Sequence, residues 1–143
     1  MQISVRFTMA VELLLLCEHF KGDEKVNSTR FATKVDTSPF FTRQIMADLA
    51  KGGIIESRVG GTGGITLLKD LNDITLYDVY KCLGEDEGSF LKFAKPMHTG
   101  KYSDNQIQFH TTMEEDFESI KEAFENQLRK RTIGDYYKSY YNE

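Results

Sequence analysis

Between Asp36 and Gly53 the chain reads "DTSPFFTRQIMADLAKGG", and this punctuation leaves few folds open. The hydroxyl of Ser38 can accept a hydrogen bond from a free amide of a first helical turn. Pro39 costs nothing at the first helical position, because its missing N–H would have no partner there. Gly52-Gly53 supplies a stop, since glycine reaches the left-handed backbone that ends helices. Upstream, "NSTRFATKV" carries Phe31, Ala32 and Val35 on one side and reads as a shorter helix. Two helices joined by a turn as tight as Asp36–Ser38 make a helix-turn-helix.

At about 100° per residue, Phe41, Ile45 and Leu49 share one face of the second helix, and Phe40, Arg43 and Ala47 point the other way. An aromatic, an arginine and a small residue suit a helix that enters a duplex major groove. The same pattern also fits an ordinary amphipathic surface helix.

The next stretch, "GIIESRVGGTGGITLLKD", has β-rich runs at Ile54–Val59 and Ile65–Leu68, with four glycines in the five positions Gly60 to Gly64. Such a loop could cradle phosphate. It does not match a dinucleotide loop, because Ile65 and Thr66 follow where a third glycine is needed, and no Gly-Lys-Ser/Thr follows. It reads instead as a hairpin tip. A helix-turn-helix followed at once by a glycine-tipped hairpin is the order of a winged helix.

Four other segments are helical. "SVRFTMAVELLLLCEHF" places Ala10, Leu13, Leu14 and Cys17 on a stripe behind Ser4 as N-cap. Leu15 and Leu16 fall off that stripe, so this helix is expected to be buried on more than one side. "NDITLYDVYKCLGE" pairs Thr75 with Asp78 as a capping box and has a Leu76, Val79, Tyr80, Leu83 stripe. "QIQFHTTMEEDFESIKEAFENQLRKR" is a long helix. Met113, Phe117, Ile120, Phe124 and Leu128 follow the spacing of a coiled-coil seam, and a dimer contact is favoured over packing within the chain. Behind Thr132 as cap, Ile133, Tyr136, Tyr137 and Tyr140 share a face, and the tyrosines are expected to pack across the same dimer. The expected fold class is therefore mainly α with a small β wing (α+β). Residues 1–84 form a winged helix-turn-helix domain, 85–105 a linker, and 106–143 a dimerisation helix with a short C-terminal helix.

Charge divides unevenly. Residues 1–70 carry nine Lys/Arg against eight Asp/Glu, and residues 71–143 nine against fourteen, within a net charge of −4. The acid of "MEEDFESIKEAFE" leaves the N-terminal half to face a polyanion. The longest leucine run has four residues, far short of a membrane span, and no basic-then-apolar leader opens the sequence, so a cytoplasmic location is expected. His19, His98 and His110 stand in no metal-ligand spacing, no GxSxG occurs, and the two cysteines, Cys17 and Cys82, form no CxxC. Neither catalysis nor a bound metal is expected.

In order and spacing, "ISVRFTMAVELLLLCEH", "DTSPFFTRQIMADLAKGGIIESR", "VGGTGGITL" and "DITLYDVYKCLGE" resemble the Rrf-two family of bacterial winged-helix transcription regulators. The resemblance is close over residues 2–84 and extends in kind to the long helix. It implies a homodimer crossing through that helix, a recognition helix in the major groove and a wing at the minor groove. It further implies DNA contacts from Ser38, Phe40, Phe41, Thr42, Arg43 and Gln44, and from the wing around Arg58, Gly60, Gly61, Thr62 and Gly63. Arg6, Arg30 and Lys34 are added as phosphate contacts, Arg6 and Arg30 being equally readable as solvated surface charges. A palindromic operator and a repressor role follow from the same likeness.

Three departures stand out. Cluster-binding members carry three closely spaced cysteines before the long helix, and Glu85 to Asn105 contains none, so no iron–sulfur cluster is expected. Arg43 stands where cluster regulators often have glutamate, which shifts base preference from cytosine toward guanine or phosphate. The wing arginine falls one step early, at Arg58, which on a strand turns it to the other face. Three inputs stay open: a thiol switch at Cys82, a small ligand near Phe90 and Phe93, or a protein effector. The alternative function is a winged helix that binds a protein partner instead of DNA, with which the net negative charge is compatible.

Overall fold

A helix over Val5–His19 (α1) runs through the centre of the molecule. The computed structural model describes residues 3–21, 26–58, 63–85, 93–97 and 99–141. Ala10, Leu13 and Leu14 of α1 have no exposed surface, Leu15 and Cys17 are buried, and Leu16 packs at the edge of the core. Only a narrow stripe of Val5, Thr8, Glu12 and His19 is exposed, and neighbours close on the other sides. Ser4 occupies the N-cap position, but its hydroxyl donates to the Glu85 carboxylate instead of capping.

On one side lie α2 (Ser28–Lys34) and α3 (Pro39–Lys51). Asn27 accepts the Arg30 amide at 2.9 Å and Ser38 the Phe41 amide at 3.1 Å, so side chains satisfy amides that each helix leaves open. Asp36, with φ 50°, makes the turn in left-handed backbone that aspartate tolerates better than most side chains. Thr37 N–H then donates to Ala32 O at 2.9 Å. Gly53, at φ 75°, carries the chain out of α3.

The hairpin pairs β1 (Ile55–Arg58) with β2 (Gly64–Leu67), Ile55 opposite Leu67 and Arg58 opposite Gly64. Ile55 and Ile65 are buried while Glu56, Arg58 and Thr66 are exposed. Two backbone bonds root it: Ile65 N–H to Val26 O and Leu68 N–H to Ile54 O, each 2.9 Å. β1 starts one residue inside its β-rich run and β2 is shifted one residue toward Gly64, because Ile54 and Leu68 lie at the hairpin root. Val59 and the tip residues Gly60, Gly61 and Thr62 lie outside the described residues.

After a 3₁₀ turn at Leu71–Asp73 come α4 (Leu76–Cys82), α5 (Asp104–Arg129) and α6 (Ile133–Tyr141). Reciprocal caps open each of them: Thr75 with Asp78, Ser103 with Gln106, and Thr132 with Asp135. Thr75 and Thr132 themselves form an antiparallel bridge, with Leu76 N–H on Arg131 O (2.9 Å) and Ile133 N–H on Ile74 O (2.8 Å). Ile74 and Ile133 are both fully buried in the common core. The short C-terminal helix thus returns to pack on α1 and the 3₁₀ turn of its own chain.

That return corrects part of the dimer expectation. Tyr136 and Tyr137 pack against their own core, while Tyr140 stays 73% exposed. The seam of α5 is divided as well. Leu128 is buried, Phe124 meets Tyr80 edge-on at 5.7 Å, and Phe117 lies 5.7 Å from Phe93. Residues 93–97 are fastened along α5 by Lys95–Glu114 (2.7 Å) and by the Tyr102 hydroxyl donating to Pro96 O (2.8 Å). On the neighbouring flank Ile120 and Phe109 stay 51% and 56% exposed, with Met113 half-buried between them.

Candidate nucleic-acid interface

The interface is built on α3. Ile45 and Leu49 have no exposed surface, Met46 is buried, and Phe41 packs at the core edge. Opposite them, Phe40, Arg43, Gln44, Ala47 and Lys51 are all exposed, Phe40 to 64%. One face is therefore fixed by packing and the other is presented by it. Lys51 joins that face at i+4 from Ala47. Sequence reasoning passed over it, although the helical period was enough to find it.

The first turn of α3 contains no acidic residue. Its partial positive end is left for an anion, in keeping with a helix that points its N-terminus at a phosphate backbone. Ser38 is exposed at that end, but its oxygen already accepts the Phe41 amide. Arg43 has no ion pair or hydrogen bond among the described residues.

Several expected contacts sit elsewhere. Thr42 is fully buried and its hydroxyl donates to Ser38 O at 3.2 Å, so it supports the helix and cannot reach a base. Phe41 is turned inward in the same way. Arg6 is committed to Asp48, an ion pair that ties α1 to α3 and neutralises the one acid of the recognition helix. Lys34 lies over the Phe20 ring at 4.3 Å. Arg30 is exposed on α2. Arg58 is exposed at the mouth of the wing and shares its strand face with Glu56, 3.7 Å away, and Gly63 follows the undescribed tip.

The family model described as "Rrf2: Iron-dependent Transcriptional regulator" matches residues 3–139. The chain belongs to the Rrf2 family. It is a winged-helix, DNA-binding transcriptional regulator and not an enzyme. Among curated proteins it is 32% identical to one from Bacillus subtilis (strain 168) whose description reads "Putative HTH-type transcriptional regulator YwnA", over 93% of this chain and 95% of that one. A solved structure of a "putative DNA binding protein" is 27% identical, with a TM-score of 0.69 over 91% of this chain and 97% of that one. A solved structure of a "putative transcriptional regulator" from Lactobacillus plantarum shares the fold, with a TM-score of 0.75 at 23% identity over 93% of this chain and 87% of that one.

The Rrf2 description names iron, and the donors here do not fit a thiolate-held cluster. Burial pushes the Cys17 thiol up to about 12, with Glu18 adding to it. Burial, then Asp78, also raises Cys82. Cys17 and Cys82 are the only cysteines in the sequence, two short of a four-thiolate set. No three His, Cys, Asp or Glu side chains among the described residues are placed to share a metal. Cys82 is half-buried, and its sulfur fills the space beside Gly52, where a Cβ would collide with it. Among the described residues no helix is long and apolar enough to cross a membrane.

Proposed function

We propose that this Rrf2 protein binds a palindromic operator as a homodimer and represses transcription there. In this reading Phe40, Arg43, Gln44 and Lys51 meet the major groove, with Ser38 and Arg30 at phosphates and the Arg58 wing at the minor groove. The observation that carries it is the division of α3 into a fully packed face and a fully presented one, with no acid in its first turn and its one acid neutralised by Arg6. Arginine reads guanine or phosphate, so half-sites richer in guanine are expected opposite Arg43.

The dimer contact is assigned to the more exposed flank of α5: Phe109, which meets Phe93 edge-on only, Met113 and Ile120. Phe117, Phe124 and Leu128 are already used within the chain and stiffen the helix that carries the flank. Two recognition helices related by a two-fold axis read half-sites about one helical turn of DNA apart. Selection of bound sequences from random duplex DNA with the full chain tests the whole reading. An enriched inverted repeat, with affinity falling steeply as salt rises, is the expected result. Retention of no sequence at low salt would overturn it, and salt-insensitive capture of a protein partner would favour the alternative.

A further inference from the structure

A second concave site lies away from the α3 face. The middle of α1, the C-terminal turn of α2 and the last turn of α6 enclose a cleft of about 480 Å³. Its floor is apolar, from Leu15, Leu16 and Val35. Its wall is aromatic, from Tyr140 and Tyr141. Tyr141 is held in place by stacking on His19, with centroids 4.0 Å apart and an interplanar angle of 11°, and Tyr140 meets it edge-on at 4.8 Å.

Two charges line the same cleft, Glu12 from α1 and Lys34 from α2. They do not pair with each other, and neither has an ion pair among the described residues. The Lys34 ammonium sits over the Phe20 ring, 4.3 Å from its centroid. An apolar floor with a few polar groups at its edge is the ordinary make-up of a small-molecule site. Here the two polar groups have opposite sign, which calls for a ligand with one charge of each sign and an apolar body.

We propose that this cleft binds a small zwitterion with an apolar body, the class of apolar α-amino acids and their dipeptides. Its ammonium lies on Glu12, its carboxylate on Lys34, and its side chain on Leu15, Leu16 and Val35 under the tyrosine wall. Val35 caps α2 and is followed by the left-handed Asp36 turn that sets α3. Occupancy is thereby coupled to the angle between the two helices of the DNA-binding motif. That coupling rests on the operator-binding reading; the binding itself does not.

The chain has no tryptophan, so its intrinsic emission reports tyrosine, including Tyr140 and Tyr141. The full-length protein is titrated with leucine, methionine, phenylalanine and dileucine, followed by tyrosine emission and calorimetry. Saturable binding is expected for at least one of them. The N-acetyl and amide derivatives of that ligand, which each remove one charge, are expected to bind at least about tenfold more weakly, a loss of about 1.4 kcal/mol. Glu12→Gln and Lys34→Met, both at exposed positions, are expected to weaken the parent ligand similarly; Glu12→Gln leaves the melting temperature of the free protein unchanged, and Lys34→Met lowers it only by the loss of its contact with Phe20. No saturable binding up to about 10 mM, equal binding of the blocked derivatives, or undiminished binding by both variants would each overturn the site. A parallel titration of DNA affinity separates the two readings. Ligand binding with no DNA retention removes the operator reading alone, and DNA affinity indifferent to bound ligand removes the coupling.

Discussion

Helices α3 and α5 both carry one apolar stripe, yet the fold treats them differently. In α3 the stripe is consumed by the core, and what remains outside is one aromatic, two cations, an amide and an alanine. In α5 only part of the stripe is consumed, by Phe93, Tyr80 and burial of Leu128, and what remains outside is Phe109, Ile120 and half of Met113. A helix whose packing is complete offers polar groups that can be exchanged for contacts with a polyanion. One whose packing is incomplete offers surface that water disfavours, which suits a second copy of itself.

Four experiments test that contrast, beginning with the largest expected effect. Phe109→Asp with Ile120→Asp removes the more exposed flank. In a two-fold interface each change acts twice, for about 3–6 kcal/mol, so sedimentation should show monomer at concentrations where the parent is dimeric. An unchanged association state would move the interface elsewhere. Arg43→Glu should cost more than one bidentate contact, about 1–3 kcal/mol per protomer, in operator affinity, while the thermal midpoint stays put. Affinity and sequence preference equal to the parent's would remove Arg43 from the interface.

Gly52→Ala reaches the end of α3 from behind. The added Cβ collides with Cys82 Sγ, and overpacking of this kind costs about 1–3 kcal/mol of stability. Combining it with Cys82→Ala should recover part of that loss in denaturant unfolding. An additive pair would show that the two side chains do not share the space. The smallest effect belongs to Asp135→Asn. The bond from the Thr132 amide is the main reason the Asp135 carboxyl lies below its usual range. A group depressed in the folded state stabilises above its unfolded value of about 3.9, and that contribution is lost as pH falls through the folded value. The variant should therefore differ from the parent near neutrality and converge with it in strong acid. A constant offset across the whole range would contradict this.

Much of α3 was legible because its signals are local. Ser38, Pro39 and Gly52-Gly53 bound it, and the period of Phe41, Ile45 and Leu49 gave its buried side. Thr42 was misplaced for a reason of the same scale. Its contact was implied by the family resemblance, yet at about 100° per residue it falls beside Leu49 on the packed face, where it is fully buried and bonded to Ser38 O. Arg6 was ambiguous because its partner Asp48 lies 42 residues away, and no local pattern joins them.

By itself the sequence determined the helices, the caps at Ser38, Thr75 and Thr132, the hairpin and the order that makes a winged helix, since these depend on neighbours within a few residues. Only the tertiary structure decided what each exposed stripe meets. It folded α6 back so that Ile133 joins Ile74 in the core, laid Phe93 against Phe117 of the α5 seam, and set Glu12 and Lys34 around one cleft. Burial is a property of pairs distant in sequence, and periodicity reports that a face is apolar without naming the surface that will cover it.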